Sequence, residues 1–203
     1  VEKSKKLFGR TMKWCFDRIG ASAGLVIISP LLLIIAILIK LDSRGPVFFV
    51  QKRIGQFGKP FKILKFRTMY KNADNSFGTI SVWGDKRVTR LGRFLRKYKI
   101  DTLPELFNVL IGQMSFVGPR PDVEGYADKL QGEYRRILEL KPGITGAATL
   151  KYRNEEMLLA QQADPIRYND EVMYPDKARI NLDYLMHWSL WKDIIILFKT
   201  FFH

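Results

Sequence analysis

Between Arg18 and Lys40 the chain carries no charge at all. Ile19 to Ile39 is an uncharged run of 21 residues whose core reads LVIISPLLLIIAILI. As a helix this length reaches roughly 31 Å, about the hydrocarbon thickness of a bilayer. No A-x-A-like cleavage site follows it, so a cleaved signal peptide fits less well. A helix buried in a soluble core is a lesser alternative. Pro30, preceded by Ser29, interrupts the run. Proline removes a helical hydrogen bond and clashes with the turn before it, and Ser29 can meet a freed carbonyl. Lys3, Lys5, Lys6, Arg10, Lys13 and Arg18 lie upstream, and Lys40, Arg44, Lys52, Arg53 and Lys59 lie downstream. Both flanks therefore favour the cytoplasmic side. A helix kinked at Ser29-Pro30 that enters and leaves by one face satisfies both flanks; a kinked helix that spans is the other topology. The pattern leaves the two open.

Beyond the anchor the apolar positions shorten into small elements. Val47 to Gln51 and Phe61 to Phe66 are rich in Phe, Val and Ile, with Gly55 and Gly58-Lys59-Pro60 between them, and predict a hairpin. Lys71 to Gly84 is polar and reads as a loop. Thr89 to Lys97 predicts a helix with a basic face, and Leu103 to Gly112 a helix closed by its glycine. Gly118-Pro119-Arg120-Pro121 and residues 141–146 read as tight loops around a helical pattern from Tyr126 to Leu140. Asn154 to Gln162 looks helical, and Asp164-Pro165 opens a further helix. The C-terminal stretch HWSLWKDIIILFKTFFH suits a helix on the membrane surface, or equally one packed into the domain's own core. The expected class is α+β and mostly helical, with residues 1–44 as the basic segment and membrane helix and residues 45–203 as the remaining domain.

Charge adds a preference for polyanions. The 203 residues include 34 Lys and Arg against 20 Asp and Glu, a formal net charge of +14. Nucleic acid, anionic lipid and phosphorylated substrates all fit that balance. A nucleic-acid partner is not expected, because no recognisable motif for one accompanies the membrane run. The single cysteine, Cys15, rules out an intrachain disulfide framework. His187 and His203 match no zinc spacing. A P-loop and a GxGxxG after a strand are both missing, so any nucleotide must be held by another device.

Three features carry candidate chemistry. Asp101 stands immediately before the helix expected from Leu103, where free N–H groups favour phosphate. A carboxylate there is a candidate nucleophile toward phosphorus; the alternative is a helix cap. Arg96 and Arg120 flank it, and guanidinium forks match phosphate oxygens. Lys65 and Arg67, in KILKFRTM, join the candidate phosphate-binding set. The anchor would place this basic domain beside lipid phosphates.

GPVFFVQKRIGQFGKPFKILKFRTM, then RVTRLGRFLRKYKIDTLPELFNVLIGQMSFVGPRPD, then KPGITG together resemble the bacterial sugar transferase family, the monotopic phosphoglycosyl transferases. The resemblance runs from Lys13 to the C-terminal helix. It implies a re-entrant helix broken at Ser29-Pro30, a small hairpin and amphipathic helices seated on the cytoplasmic face of a bacterial inner membrane. It also implies a ping-pong reaction that starts capsule, O-antigen or glycoprotein glycan assembly. An aspartate attacks the β-phosphate of a UDP-sugar, UMP leaves, and the phosphosugar passes to undecaprenyl phosphate. Asp101 matches that aspartate, Arg96 and Arg120 match arginines near the phosphate, and Arg153 matches a further substrate-binding arginine. Magnesium is the implied cofactor. One position departs from the pattern: the family's Asp-Glu pair is Asp101-Thr102 here. A hydroxyl is a weaker magnesium ligand than a carboxylate. Asp85 and Glu105 are candidates to supply the missing acid. Thr102 to Glu105 also has capping-box spacing. An inactive member that only binds nucleotide-sugar or lipid phosphate is the alternative. Oligomeric state stays open, a homodimer being the first assembly to test.

Overall fold

The computed structural model describes residues 2–71 and 84–202, with side chains from residue 9 onward. Most of the loop expected over Lys71 to Gly84 therefore lies outside the described residues. Helix α1 runs from Glu2 to Asp42 with Pro30 inside it. The missing proline N–H would have bonded the Val26 carbonyl; the Ser29 hydroxyl donates to that carbonyl instead, at 2.8 Å.

One face of α1 is part of the folded domain along its length. Asp17, Ala21, Leu25, Ile35 and Ile39 are buried, at spacings near the helical repeat. Ala21 joins a core with Phe61, Ile63, Val109 and Met114. Ile35 and Ile39 join another with Phe66 and Leu95. The opposite face is apolar and open: Ile19, Val26, Ile27, Leu33 and Leu41 are all more than 60% exposed.

The expected hairpin forms and is longer than its apolar runs. Strands β1 (Phe48–Ile54) and β2 (Pro60–Phe66) pair antiparallel, with Gln51 opposite Ile63 and Arg53 opposite Phe61. Helix α2 (Arg90–Lys97) begins where expected, capped by Thr89, whose hydroxyl accepts from the Gly92 N–H. Helix α3 (Glu105–Leu110) is shorter than Leu103 to Gly112, because Ile100–Thr102 forms a separate 3-10 turn before it.

Three expectations are corrected. The capping box does not form: the Thr102 hydroxyl donates back to the Lys99 carbonyl, and Glu105 turns to Lys65. Tyr126 to Leu140 is not an α-helix but two 3-10 segments, Ala127–Lys129 and Gly132–Glu139. Leu130 is extended between them and Gly132 takes a left-handed φ of 56°, so an i→i+4 ladder cannot run through. Residues 118–121 are a loop as expected, but residues 141–146 are not wholly irregular: they contain β4 (Gly143–Thr145), paired parallel with β3 (Ser115–Val117). A Cβ on Gly118 would strike the Lys141 carbonyl, and one on Gly143 the Gly118 amide, so only glycine lets these backbones meet.

The C-terminal half adds α4 (Ala147–Lys151), α5 (Glu155–Ala160), α6 (Pro165–Tyr168), a π turn at Asn169–Met173, α7 (Tyr174–Met186) and α8 (Leu190–Phe202). Helix α8 packs into the domain on one side only. Ile196 packs with Val117 and Tyr184, while Trp191, Phe198, Phe201 and Phe202 stay exposed. Buried Asp193 ties α8 to two other helices. It accepts from Lys13 Nζ at 2.6 Å, from the Tyr184 hydroxyl and from Trp188 Nε1.

Arg67 locks the other end of α1. Its Nη2 donates to the carbonyls of Ile39 and Ser43 and to the Ser43 hydroxyl, and its Nη1 to the Arg44 carbonyl. It therefore ties the last turn of α1 to the two residues that follow it; the Ile39 carbonyl also accepts from the Ser43 N–H. Arg67→Ala should lower stability by about 1–3 kcal/mol through loss of this tie. Thermal unfolding in detergent checks this; an unchanged midpoint would mean that apolar packing alone holds the end of α1.

Candidate functional site

The hairpin's alternation builds one wall of a small pocket. Residues opposite each other in an antiparallel pair share a face, as do residues two apart on a strand. The register thus puts Gln51, Arg53, Ile63 and Lys65 on one face. Arg53, Ile63 and Lys65 line the pocket with Glu105 from α3, Arg120 and Pro121 from the loop after β3, and Gly143 and Ile144 from β4. Three cations thus surround one carboxylate.

Glu105 pairs with Lys65 at 3.2 Å, both largely buried. Burial pushes the Lys65 ammonium down and the Glu105 carboxyl up, each partly restored by the other. Arg53 is fixed by neutral partners. Its Nε and Nη2 donate to Gln51 Oε1 at 3.0 and 2.6 Å, and its Nη1 to the Pro121 carbonyl at 3.0 Å. Burial, and then the charge of Arg120, lower its pKa to about 10. Among the described residues neither Arg53 nor Arg120 has a carboxylate within ion-pair distance. Two guanidinium groups that repel across a pocket suit an anion between them.

Asp101 adjoins this cluster, its charge being felt by both Lys65 and Glu105. It does not cap a helix: Oδ1 is buried with no hydrogen-bond partner. An orphaned carboxylate oxygen is costly and marks a place where a ligand or ion fits. Arg96, on α2, is not among the pocket's lining residues; its Nε donates to the Thr68 hydroxyl at 2.8 Å and its Nη1 to Glu156 at 3.2 Å.

The other candidates stand elsewhere or are engaged. Arg67 is the clamp on α1, so its guanidinium faces carbonyls and not the pocket. Arg153 Nη2 donates to the Thr200 carbonyl near the end of α8. Asp85 is held by Arg87, which lowers its pKa. Thr102 is not among the pocket's lining residues. Among the described residues no group of three or more His, Cys, Asp or Glu could hold a metal ion. Magnesium's usual habit is one or two carboxylates with phosphates and water. That habit fits the free Asp101 oxygen, and does not require Asp85 or the paired Glu105.

Sequence reasoning treated Arg53 only as flanking charge and did not single out Asp122. The signal for Arg53 was its parity with Gln51, once the hairpin is registered against Lys65. Asp122 has no such signal. The Ile54 amide donates to its carbonyl, and its carboxylate faces Lys177, Arg53, Arg120 and the Tyr174 hydroxyl.

Comparison with known proteins places these residues in context. A model of the family described as bacterial sugar transferase matches residues 8–203. The UDP-N-acetylgalactosamine-undecaprenyl-phosphate N-acetylgalactosaminephosphotransferase of Aeromonas hydrophila is 39% identical over 91% of this chain and 41% of its own length. The UDP-glucose:undecaprenyl-phosphate glucose-1-phosphate transferase of Caulobacter vibrioides is 39% identical over 93% of this chain and 67% of its own. The exopolysaccharide production protein ExoY of Rhizobium meliloti is 35% identical over 95% and 84%. The chain spans about two fifths of the Aeromonas protein, and also of the Escherichia coli K12 UDP-glucose:undecaprenyl-phosphate glucose-1-phosphate transferase.

Burial raises the Asp122 pKa from 3.8 to about 6 against the pull of the nearby cations. The folded chain then binds this proton more tightly than the unfolded one. The stability it contributes is full below pH 3.8 and is lost as pH rises through about 6. Asp122→Asn should therefore gain midpoint relative to wild type across that window, read by thermal unfolding in a pH series. Parallel curves would show that Asp122 titrates as an ordinary carboxylate.

Proposed function

Because this chain belongs to the bacterial sugar transferase family, we propose that it moves a sugar-1-phosphate from a UDP-sugar to undecaprenyl phosphate. The observation that carries this reading is the pocket of Arg53, Lys65 and Arg120 beside the unpartnered oxygen of Asp101. The pocket's volume of about 10 Å³ admits a phosphate oxygen at its mouth and not a whole diphosphate; its excess positive charge suits such oxygens, with the Asp101 carboxylate beside it as the nucleophile.

In the first step an Asp101 oxygen attacks the β-phosphorus of the donor. The bond from that phosphorus to the oxygen bridging it to the α-phosphate breaks, and UMP leaves with the electron pair. A phosphosugar remains on Asp101 as an acyl phosphate. In the second step an oxygen of undecaprenyl phosphate attacks the same phosphorus. The acyl-phosphate bond breaks, Asp101 is regenerated, and the sugar ends on undecaprenyl diphosphate. Arg53 and Arg120 hold the phosphate oxygens and stabilise the charge that gathers on them. Lys65, kept in place by Glu105, adds a third cation. Magnesium would be held on the protein side by Asp101 and would supply further charge neutralisation.

The membrane reading follows from α1. A helix that crossed the bilayer would leave its apolar middle clear of a water-facing domain. Here one domain packs against Ala21 and against Ile39, and the outward face is apolar. That arrangement favours a re-entrant, monotopic helix at the cytoplasmic face, with the exposed aromatics of α8 at the same surface.

Asp101→Asn should abolish release of UMP from a UDP-sugar with the fold retained, and Arg53→Gln should lower kcat/KM by roughly tenfold or more. The assay uses detergent-solubilised protein, undecaprenyl phosphate, magnesium and a panel of UDP-sugars. UMP release that survives Asp101→Asn would end the covalent mechanism. For topology, Arg10→Cys and Arg44→Cys in a Cys15→Ser background should both react with an impermeant maleimide from the cytoplasmic side alone. Labelling from opposite sides would mean a spanning helix.

A further inference from the structure

Arg18 is the last charged residue before the uncharged run of α1. Its guanidinium carbon lies 5.0 Å from the centre of the Trp14 ring, one turn back on the helix. Nη2 packs so closely on Gly112, just beyond α3, that a Cβ there would strike it. In that slot Nε is buried with no hydrogen-bond partner. Among the described residues the guanidinium makes no hydrogen bond and no ion pair.

Lys141 stands beside it. The Phe116 N–H donates to Asp17 Oδ1 at 3.1 Å, and the Ser115 N–H to the Pro142 carbonyl at 2.9 Å. The segment carrying Lys141 thus lies near the turn of α1 that carries Asp17 and Arg18. Its ammonium also has no hydrogen-bond or ion-pair partner among the described residues. Burial lowers its pKa, Asp17 raises it in part, and Arg18 and Lys13 add to the lowering. The neighbouring charges are engaged elsewhere. Lys13 is bound to Asp193, and Asp17 is turned to the Phe116 amide. Two like charges without an acid bound to either suit one shared anion.

The surroundings select among anions. Ile19 is exposed next to Arg18, Ile111 is exposed next to Gly112, and Phe107 stands exposed one turn before Ile111 on α3. A soluble anion gains nothing from that apolar rim, whereas acyl chains bury it. An arginine and a tryptophan at the end of an apolar helical run suit the level where headgroups meet hydrocarbon. A guanidinium fork and an ammonium match the free oxygens of a phosphodiester.

We propose that Arg18 and Lys141, with Trp14 as a side wall, hold the headgroup phosphate of an anionic phospholipid at the edge of the bilayer. The seat shares no residue with the lining of the cation pocket. The inference rests on the membrane reading of α1, and it holds for a re-entrant and for a spanning helix alike.

The test uses the full chain in neutral detergent, given phosphatidylglycerol and phosphatidylcholine in equal amounts, with retained lipid counted by native mass spectrometry. Wild type should keep phosphatidylglycerol in preference. Arg18→Gln combined with Lys141→Gln should lower that affinity by about tenfold or more. Arg90→Gln combined with Arg93→Gln removes as much charge from exposed positions on α2 and should change it little. A second readout leaves both cations in place: phosphatidylglycerol brominated near its headgroup should quench the tryptophan fluorescence of wild type more than that of Trp14→Phe. No preference for phosphatidylglycerol, unchanged affinity in the first pair, an equal loss in the second pair or equal quenching overturns the seat. Displacement of the lipid by inorganic phosphate would make it a soluble-anion site, and displacement by an equal amount of undecaprenyl phosphate would assign it to the acceptor; either overturns the proposal. Wild type that fails to float with phosphatidylcholine liposomes sinks the membrane reading too. Floating without retention of phosphatidylglycerol sinks the seat alone.

Discussion

The contact between one face of α1 and the folded domain sets everything else in place. Ala21 enters the core beneath the hairpin, and Ile35 and Ile39 enter the core around Phe66 and Leu95. Without α1 both cores would be open on one side. The two ends are secured by different chemistry. Near the N-terminal end Lys13 meets Asp193, a buried carboxylate that also takes Tyr184 and Trp188. At the C-terminal end Arg67 collects the last carbonyls. A buried charge is tolerable only when its hydrogen-bonding capacity is largely met, and both joints follow that rule. The outer face of α1 is apolar and is left open by the described residues.

The pocket follows from that scaffold. The hairpin resting on α1 turns Arg53 and Lys65 to the same side, and α3 brings Glu105 against Lys65. The β3–β4 pair then sets Arg120 opposite. Burial makes each of these charges costly, and the set holds more positive charge than its single lining carboxylate can balance. Such an imbalance suits an anion. Asp101 differs from the other acids near it in having a buried oxygen with nothing to accept from.

Much of this was legible in the sequence where one local rule dominated. The uncharged run marked α1, the turn residues marked the hairpin, and Thr89 marked the start of α2. Of the candidates, Lys65 and Arg120 line one pocket and Asp101 adjoins it, while Arg96 is engaged with Thr68 and Glu156. Legibility failed where a nonlocal contact decided the outcome. Thr102 and Glu105 have capping-box spacing, yet a buried lysine on another strand outcompetes the cap for the glutamate. Arg67 looks like Lys65 in a basic segment, but it stands one residue past the end of β2 and reaches the carbonyls at the end of α1 instead. Residues 126–140 keep an apolar rhythm while Gly132 and Leu130 interrupt the backbone. The parallel pairing of β3 and β4 joins segments 28 residues apart at Ser115 and Gly143, and no short-range pattern announces it.

The bare backbones where Gly118 and Gly143 meet make the site's tolerance a matter of mechanical fit. Arg120 sits two residues beyond a contact so close that not even a methyl group fits between the chains. Its reach toward the pocket is thus set by a joint with no clearance. A single extra carbon there, some distance from any charge, would push the loop aside by an appreciable fraction of the ~3.3 Å rise per strand residue. That is comparable with the margin separating a good guanidinium–phosphate contact from a poor one. The two glycines belong to the pocket's construction as surely as the arginine does, although neither has a side chain to place in it.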